Sequence, residues 1–217
     1  MIVLIENSRY NVMERYDRNL LDPMPFGDGS LLVGEFRGTS QTQLLWSRRE
    51  AVEAWTTFRA MWGEPIYLPY CFRRVGEGGH AMQSQHYAGT SFDCAQNIGD
   101  EARARMRALA IQSGVWSYVE PSSLTPTWVH MDRRVFPPAC PTGGYPLQRR
   151  GNLGVYVCVL QDALNVVLGT ILAIDGYFGN RTAEILEFFQ ATNGLTADGI
   201  VGCSTWNALM RQAVGNG

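Results

Sequence analysis

Two short segments of the chain contain histidine and aspartate residues at spacings that suit a metal site. The first contains His86 and Asp93, and the second contains His130 and Asp132. Two imidazoles and one carboxylate are typical protein ligands of a catalytic zinc ion, with a fourth position left for water. Zinc in such a site lowers the pKa of water and polarises a carbonyl group. These residue types therefore predict a zinc-dependent hydrolytic site.

The residues around these side chains predict that two β-strands carry them. Gly89 argues against a helix in the first segment and favours a loop that leads into a strand at 91–95. A second strand is predicted at 128–132, where His130 and Asp132 would share one face. Because alternate side chains of a strand point the same way, the two strands can present these groups and Asp93 to one cleft.

The two segments together resemble a known family. Ser-x-His-x-x-Gly-x-x-x-Asp followed by Trp-Val-His-x-Asp is similar to the zinc D-Ala-D-Ala carboxypeptidases among the LAS metallopeptidases. The resemblance covers roughly residues 40–135. It implies an α+β catalytic domain with a hedgehog-like mixed sheet and helices packed outside it. It also implies that zinc is held by His86, Asp93 and His130.

The same resemblance implies two residues that contact substrate. Arg73 follows an expected strand at 66–72 and matches the family's substrate-binding arginine. Ser84 opens the first motif and is the second expected substrate contact. The segment 44–62, which precedes the strand, matches the family's helix, and 50–61 is predicted as a helix from its own residues.

The catalytic base is the point at which this chain departs from the family. Many members carry Glu or Asp three residues before the second zinc histidine, and this chain has Thr127 there. Asp132 is the preferred substitute because it shares a strand face with His130. Glu120, in the preceding loop, is the second candidate. Asp132 could instead hold an imidazole in place as a partner outside the zinc ligands.

The last third of the chain contains an internal repeat. The octapeptide 175–182 recurs as 198–205, and each copy combines an Asp-Gly turn, a second glycine and a threonine where a helix would begin. Helices are predicted at 182–192 and 204–214, with a third before them at 154–168. The residues therefore predict a small all-α three-helix module.

The module also resembles a known family. Val-x-x-Leu-Gln-x-x-Leu-Asn, Asp-Gly-x-Phe-Gly-x-x-Thr, Phe-Phe-Gln, Gly-Leu-x-x-Asp-Gly-Ile-Val-Gly and Thr-Trp-x-x-Leu occur in this order. This series is similar to the peptidoglycan-binding module of cell-wall hydrolases and covers about residues 145–212. The resemblance implies bacterial peptidoglycan as the partner.

These features predict two domains. A zinc peptidase domain is expected at 1–136, a linker at 137–144 and a peptidoglycan-binding domain at 145–217. The linker contains three prolines and two glycines, which interrupt any regular pattern. We expect a cut there to expose neither core. Residues 1–40 are expected to be irregular.

Composition and charge exclude several other classes. A formal net charge of −2 offers no broad basic surface for nucleic acid. The five cysteines include no Cys-x-x-Cys motif, which argues against a cysteine zinc site, and their odd number leaves at least one thiol free. Cys71 and Cys94 are expected to be buried free thiols. His80 lies in a glycine-rich loop and is expected to be a surface histidine.

The resemblance to the peptidoglycan-binding module implies action at the bacterial cell wall. No apolar run approaches the roughly 18 residues that a membrane span needs. The first residues lack the pattern of a signal peptide. We therefore expect action at the cell wall after release in the manner of a phage lysin or by another export route, and we expect a monomer.

The expected function is zinc-dependent hydrolysis of peptidoglycan stem peptides. A D,D-carboxypeptidase and an endopeptidase would use the same zinc ligands, so both activities stay open. The competing hypothesis is a catalytically inactive wall-binding protein, which Thr127 favours.

Overall fold

The computed structural model describes residues 1–215 as a mixed α/β protein with six α-helices and three small sheets. The strands are β1 (Ile2–Asn7), β2 (Val12–Asp17), β3 (Leu44–Arg48), β4 (Ser91–Cys94), β5 (Tyr118–Val119), β6 (Val129–Asp132), β7 (Gln148–Arg149) and β8 (Ile200–Val201). The α-helices are α1 (Val33–Arg37), α2 (Arg49–Trp62), α3 (Asp100–Ser113), α4 (Val155–Leu168), α5 (Asn180–Thr192) and α6 (Cys203–Gly215). A single turn of 3-10 helix occupies Val75–Glu77. The finer hedgehog-like arrangement stays a prediction.

The first sheet has the strand order β2-β1-β3 and forms the wall on which α2 packs. β1 pairs antiparallel with β2 and parallel with β3. The expectation that 1–40 is irregular is therefore wrong, because Val3 and Ile5 of β1 are completely buried in the core. The segment 44–62 is also not one helix, because its first five residues form β3. The narrower prediction of a helix at 50–61 is confirmed by α2.

The second sheet carries the predicted chemistry and has the order β4-β6-β5. Both predicted strands are confirmed to within one residue, and Asp93 lies directly opposite His130 in the antiparallel register. The expected strand at 66–72 forms no ladder; only Tyr70 makes a bridge there, with Asp93. Pro69 lacks the N–H that a ladder needs, which helps to explain why this segment forms no continuous ladder.

The C-terminal module contains the three predicted helices as α4, α5 and α6, each within two residues of its predicted limits. The repeat has a structural basis in two buried glutamines. Nε2 of Gln161 donates to the Asp175 carboxylate at 2.8 Å, the Tyr177 carbonyl at 3.1 Å and the Thr182 hydroxyl at 3.3 Å. Gln190 makes the equivalent three bonds in the second copy.

The module is joined to the N-terminal part by buried polar bonds and a continuous apolar cluster. The Asp162 carboxylate accepts bonds from the Arg74 guanidinium at 2.6 and 2.9 Å and from the Val75 amide at 2.9 Å. The Val155 amide donates to Glu6 at 2.9 Å. The expectation that a cut in the linker exposes neither core is therefore wrong, because α4 supplies core for both parts.

Replacing Asp162 with alanine is expected to destabilise the whole protein by about 3 kcal/mol. The change leaves Arg74 without its partner, and the cost stays near the lower end for buried pairs because the Arg74 side chain is 24% exposed. Denaturant unfolding followed by fluorescence and circular dichroism should show one shifted transition. Glu184→Ala is the control, since that exposed acid forms a surface pair worth about 0.5 kcal/mol. Two transitions, of which only one shifts, would contradict a shared core.

In the described part of the chain, two cysteines form a disulfide and three are free thiols. Cys140 of the linker is bonded to Cys203 at the start of α6. Cys71, Cys94 and Cys158 are free and buried, which confirms the expectation for the first two. Within residues 1–215, no helix has the length and apolar character needed to cross a membrane.

Candidate functional site

A cleft of about 550 Å³ brings the predicted zinc ligands together. Asp93 comes from β4, His130 from β6 and His86 from the loop before β4. One ligand atom from each residue lies within 4.8 Å of the others. His130 Nδ1 is 2.7 Å from one Asp93 oxygen, and His86 Nε2 is 3.2 Å from the other. The side chains are therefore gathered around one point, as the sequence predicts.

The orientation of His86 leaves one ring nitrogen available. Its Nδ1–H donates to the Cys71 carbonyl at 2.9 Å, which places the lone pair on Nε2. Nε2 is buried and has no hydrogen-bond partner. A buried polar atom without a partner is costly. A metal ion that accepts this lone pair would remove that cost, so the donor set fits zinc.

His130 is held between two carboxylates. Its Nε2 lies 3.2 Å from Asp132, on the side of the ring away from Asp93. Burial alone would lower the pKa of His130, but the bonds with Asp132 and Asp93 raise it to about 9. Burial would likewise raise the pKa of Asp93, but its hydrogen bond with His130 and the nearby His86 ring hold it well below the usual range. A metal ion would have to displace the proton of His130 on binding.

Asp132 occupies a position that does not suit a general base. It is completely buried, and its carboxylate accepts bonds from Arg134 Nε at 2.9 and 3.0 Å. Burial would raise the pKa of Asp132, but Arg134 and His130 lower it. The arrangement has the form of a carboxylate that orients a ligating histidine. This geometry favours Glu120 over Asp132 as the candidate base, and the choice between them stays a prediction.

Glu120 is on the wall of the cleft beside the three clustered side chains. It directly follows β5, and its backbone N–H donates to the His130 carbonyl at 2.9 Å. Its side chain is partly exposed, so it can reach a water molecule in the cleft. Thr127, at the position where the family carries its acid, is exposed and is absent from the residues that line the cleft.

The two predicted substrate contacts have different positions. Ser84 is on the cleft wall, and its hydroxyl accepts a bond from the His86 amide at 3.3 Å. The backbone of Arg73 donates to the His86 carbonyl at 3.2 Å, but its side chain does not line the cleft. Arg134 does line it, stacked 3.8 Å from the ring centre of Tyr118. Proximity in sequence to Asp132 was the available signal for Arg134.

His80 is a site residue that sequence reasoning missed. Its ring stacks on that of His86 with 4.4 Å between centroids, and it lines the cleft. Burial and the neighbouring His86 lower the pKa of His80 to about 4, so the ring is neutral near pH 7. The expectation of a surface histidine is wrong, because the loop folds back onto Tyr87, whose hydroxyl donates to the His80 carbonyl at 3.3 Å.

The module has two further clefts at equivalent places in its repeat. The first, of about 440 Å³, is lined by Tyr177 and Arg181 together with apolar side chains that include Ile171. The second, of about 400 Å³, has Ile200 and Ser204 at the corresponding positions. The first copy therefore has an aromatic ring and a guanidinium that the second copy lacks.

Comparison with known proteins identifies the module. Residues 154–209 match the family described as "Putative peptidoglycan binding domain". An uncharacterised protein of Kitasatospora aureofaciens is 48% identical over 40 residues, which cover 18% of this chain and 34% of that protein. The chain thus spans about a third of the length of this curated relative.

A solved structure also matches in part. It is a crystal structure of a peptidoglycan-binding protein from Clostridioides difficile in complex with glutamine hydroxamate. The match has 38% identity and a TM-score of 0.31, and it covers 32% of this chain and 44% of that chain. The family match supports peptidoglycan binding by the C-terminal helices and fits action at the cell wall.

Proposed function

We propose that this protein is a zinc-dependent peptidase that hydrolyses stem peptides of bacterial peptidoglycan and is targeted to the wall by its C-terminal module. The cluster of His86, Asp93 and His130 in an open cleft carries this proposal. The peptidoglycan-binding module at 154–209 supports the choice of substrate. The same residues serve a D,D-carboxypeptidase or an endopeptidase.

The three clustered side chains would hold zinc in this proposal. A bound zinc ion would polarise the scissile carbonyl and lower the pKa of water. Glu120 takes the proton from the attacking water and passes it to the leaving amine. Asp132 keeps the His130 ring in its ligating orientation.

Arg134 takes over the substrate contact that the resemblance assigns to Arg73. Its Nε and Nη2 donate hydrogen bonds to the Asp132 carboxylate, and its side chain lies on the cleft wall. Its positive charge suits a substrate carboxylate or carbonyl. Ser84 lies on the same wall and supplies a hydroxyl to the peptide.

Hydrolysis by the full chain tests the proposal. Zinc-loaded protein is incubated with a soluble stem pentapeptide ending in D-Ala-D-Ala and with a cross-linked muropeptide, and the products are analysed by mass spectrometry. We expect cleavage of at least one substrate, loss of cleavage after treatment with a chelator, and recovery after zinc is restored. Sacculus binding without cleavage of either substrate would support the inactive wall-binding protein, the alternative that Thr127 favours.

We assign binding of the bacterial cell wall to the first of the two clefts in the C-terminal module. Tyr177 is 45% exposed and Ile171 is 99% exposed, so a ring face and an apolar side chain are available to a sugar and its acetyl group. Tyr177→Ala should weaken binding of the full chain to purified sacculi by about tenfold, since loss of such a contact typically costs 1–2 kcal/mol.

The second cleft provides the matched control for this prediction. Ile200→Ala changes the corresponding position, where no aromatic ring is present. We expect its sacculus affinity to stay within about twofold of the unmodified protein. A larger loss for Ile200→Ala than for Tyr177→Ala would move the binding site to the second copy.

A further inference from the structure

We propose that the C-terminal module completes the substrate site, because it holds the segment Cys140–Tyr145 as one wall of the catalytic cleft. This proposal rests on the proposed peptidase function and deepens it. The segment is defined here as the wall loop. Its expected ligand is the main chain of a stem peptide.

The wall loop borders the same cleft as the clustered side chains. Thr142, Gly143 and Gly144 line that cleft together with His86 and His130. Residues 140–144 of the loop belong to the linker, so a segment that the sequence predicts to be a spacer is placed beside the clustered side chains. A peptide bound at His86 and His130 would have this loop as a neighbour.

Two fixed points in the module hold the loop. At one end, Cys140 forms a disulfide with Cys203 of α6. At the other end, Tyr145 is completely buried, with its ring centre 5.1 Å from Trp206 and 5.3 Å from Tyr156. Both ends are thus fixed by side chains of the module, and removing the module would release the loop.

Further bonds connect the wall loop with the loop that carries His86. The Gln83 side chain accepts from the Tyr145 amide at 2.9 Å and donates to Asn207 of α6 at 2.8 Å. The Tyr145 hydroxyl donates to the Ser84 carbonyl at 2.6 Å. Because Ser84 is two residues from His86, this network couples the position of α6 to that of a proposed zinc ligand.

Two glycines, Gly143 and Gly144, form part of the surface that the wall loop presents to the cleft. Gly143 and Gly144 have no side chains, so a peptide can approach their backbone closely and exchange main-chain hydrogen bonds. Gly144 adopts φ +104°, and a Cβ there would collide with the Gln83 amide. An alanine at Gly144 would therefore displace Gln83 and break its bonds with Tyr145 and Asn207.

The test compares two glycine substitutions in the zinc-loaded full chain. Gly144→Ala should raise KM for the soluble stem pentapeptide by about tenfold, as expected for the loss of one or two hydrogen bonds between the peptide and the wall loop. The value of kcat should change less than about threefold. Gly151→Ala is the control. Gly151 has a similar φ of +92° and open space around it, and it is absent from the cleft lining. Its KM should be unchanged.

A second variant guards against misfolding of Gly144→Ala. Cys140→Ser combined with Cys203→Ser frees one end of the loop and should also raise KM, with sacculus binding unchanged. Dissociation constants for the same pentapeptide are measured in a Glu120→Gln background, where turnover is not required. A KM and a dissociation constant equal to the unmodified values in both variants would overturn the proposal.

The affinity measurement also separates this proposal from the proposed function. If the unmodified protein cleaves neither the pentapeptide nor the cross-linked muropeptide but Gly144→Ala still weakens binding of the pentapeptide, the peptidase function fails and the wall loop stands. If the unmodified protein cleaves it and both variants behave normally, the wall loop fails and the peptidase function stands. Absence of both cleavage and binding overturns both.

Discussion

Replacing His86 with alanine is expected to abolish stoichiometric zinc binding and all hydrolysis by the protein. His86 supplies one of the three clustered atoms that could ligate zinc, and its Nε2 is buried without a hydrogen-bond partner. Two remaining ligands do not provide the three protein contacts that a catalytic zinc site needs. Metal content after dialysis, measured by inductively coupled plasma mass spectrometry, should fall from one zinc per chain to background.

His80→Ala is the control for this change. His80 has the same side chain and stacks on His86, but it is outside the group whose ligand atoms converge. Its variant should therefore keep one zinc per chain. Full zinc content in His86→Ala, or loss of zinc in His80→Ala alone, would show that the metal site has been assigned to the wrong residues.

Replacing Glu120 with glutamine should lower kcat by about 10²–10⁴-fold while zinc content stays at one per chain. Glutamine keeps the size of the side chain but cannot accept a proton. Glu120 lies on the cleft wall, and only its backbone is bonded to the three clustered side chains, through the His130 carbonyl. The change therefore separates proton transfer from metal binding. Steady-state kinetics on the soluble pentapeptide and metal analysis of the same sample give the two readings.

Asp132→Asn is the companion variant and should behave differently. Because Asp132 bonds the far nitrogen of His130, an amide there should weaken zinc affinity by about 10–100-fold. Activity at saturating zinc should recover more than it does in Glu120→Gln. An inactive Asp132→Asn with full zinc, beside an active Glu120→Gln, would return the role of base to Asp132.

The C-terminal module is more than a tethered targeting module in this protein. A tethered targeting module raises the local concentration of a catalytic domain without altering its site. Here α4 shares the core of the N-terminal part, and the linker borders the cleft. Deleting residues 145–217 is therefore expected to impair cleavage of soluble peptides as well as of sacculi, because the deletion removes part of the core.

Features that depend on local periodicity could be predicted from the amino-acid sequence alone. Alternation along β4 and β6 placed Asp93 and His130 on one face, and the antiparallel register sets them opposite each other. The repeated Asp-Gly turns located the helices of the module, because turn and capping chemistry involves residues close in the chain. The aspect of the site that rests on strand geometry was predictable for that reason.

The positions that depend on contacts between distant segments could be seen only in the folded protein. Asp132 shares a strand face with His130, but the turn of the imidazole ring and the approach of Arg134 place its carboxylate behind the cluster. Glu120 reaches the cleft because β5 pairs with β6. The pairing of Cys140 with Cys203 spans 63 residues. No local pattern encodes such contacts, since they depend on how whole elements pack together in three dimensions.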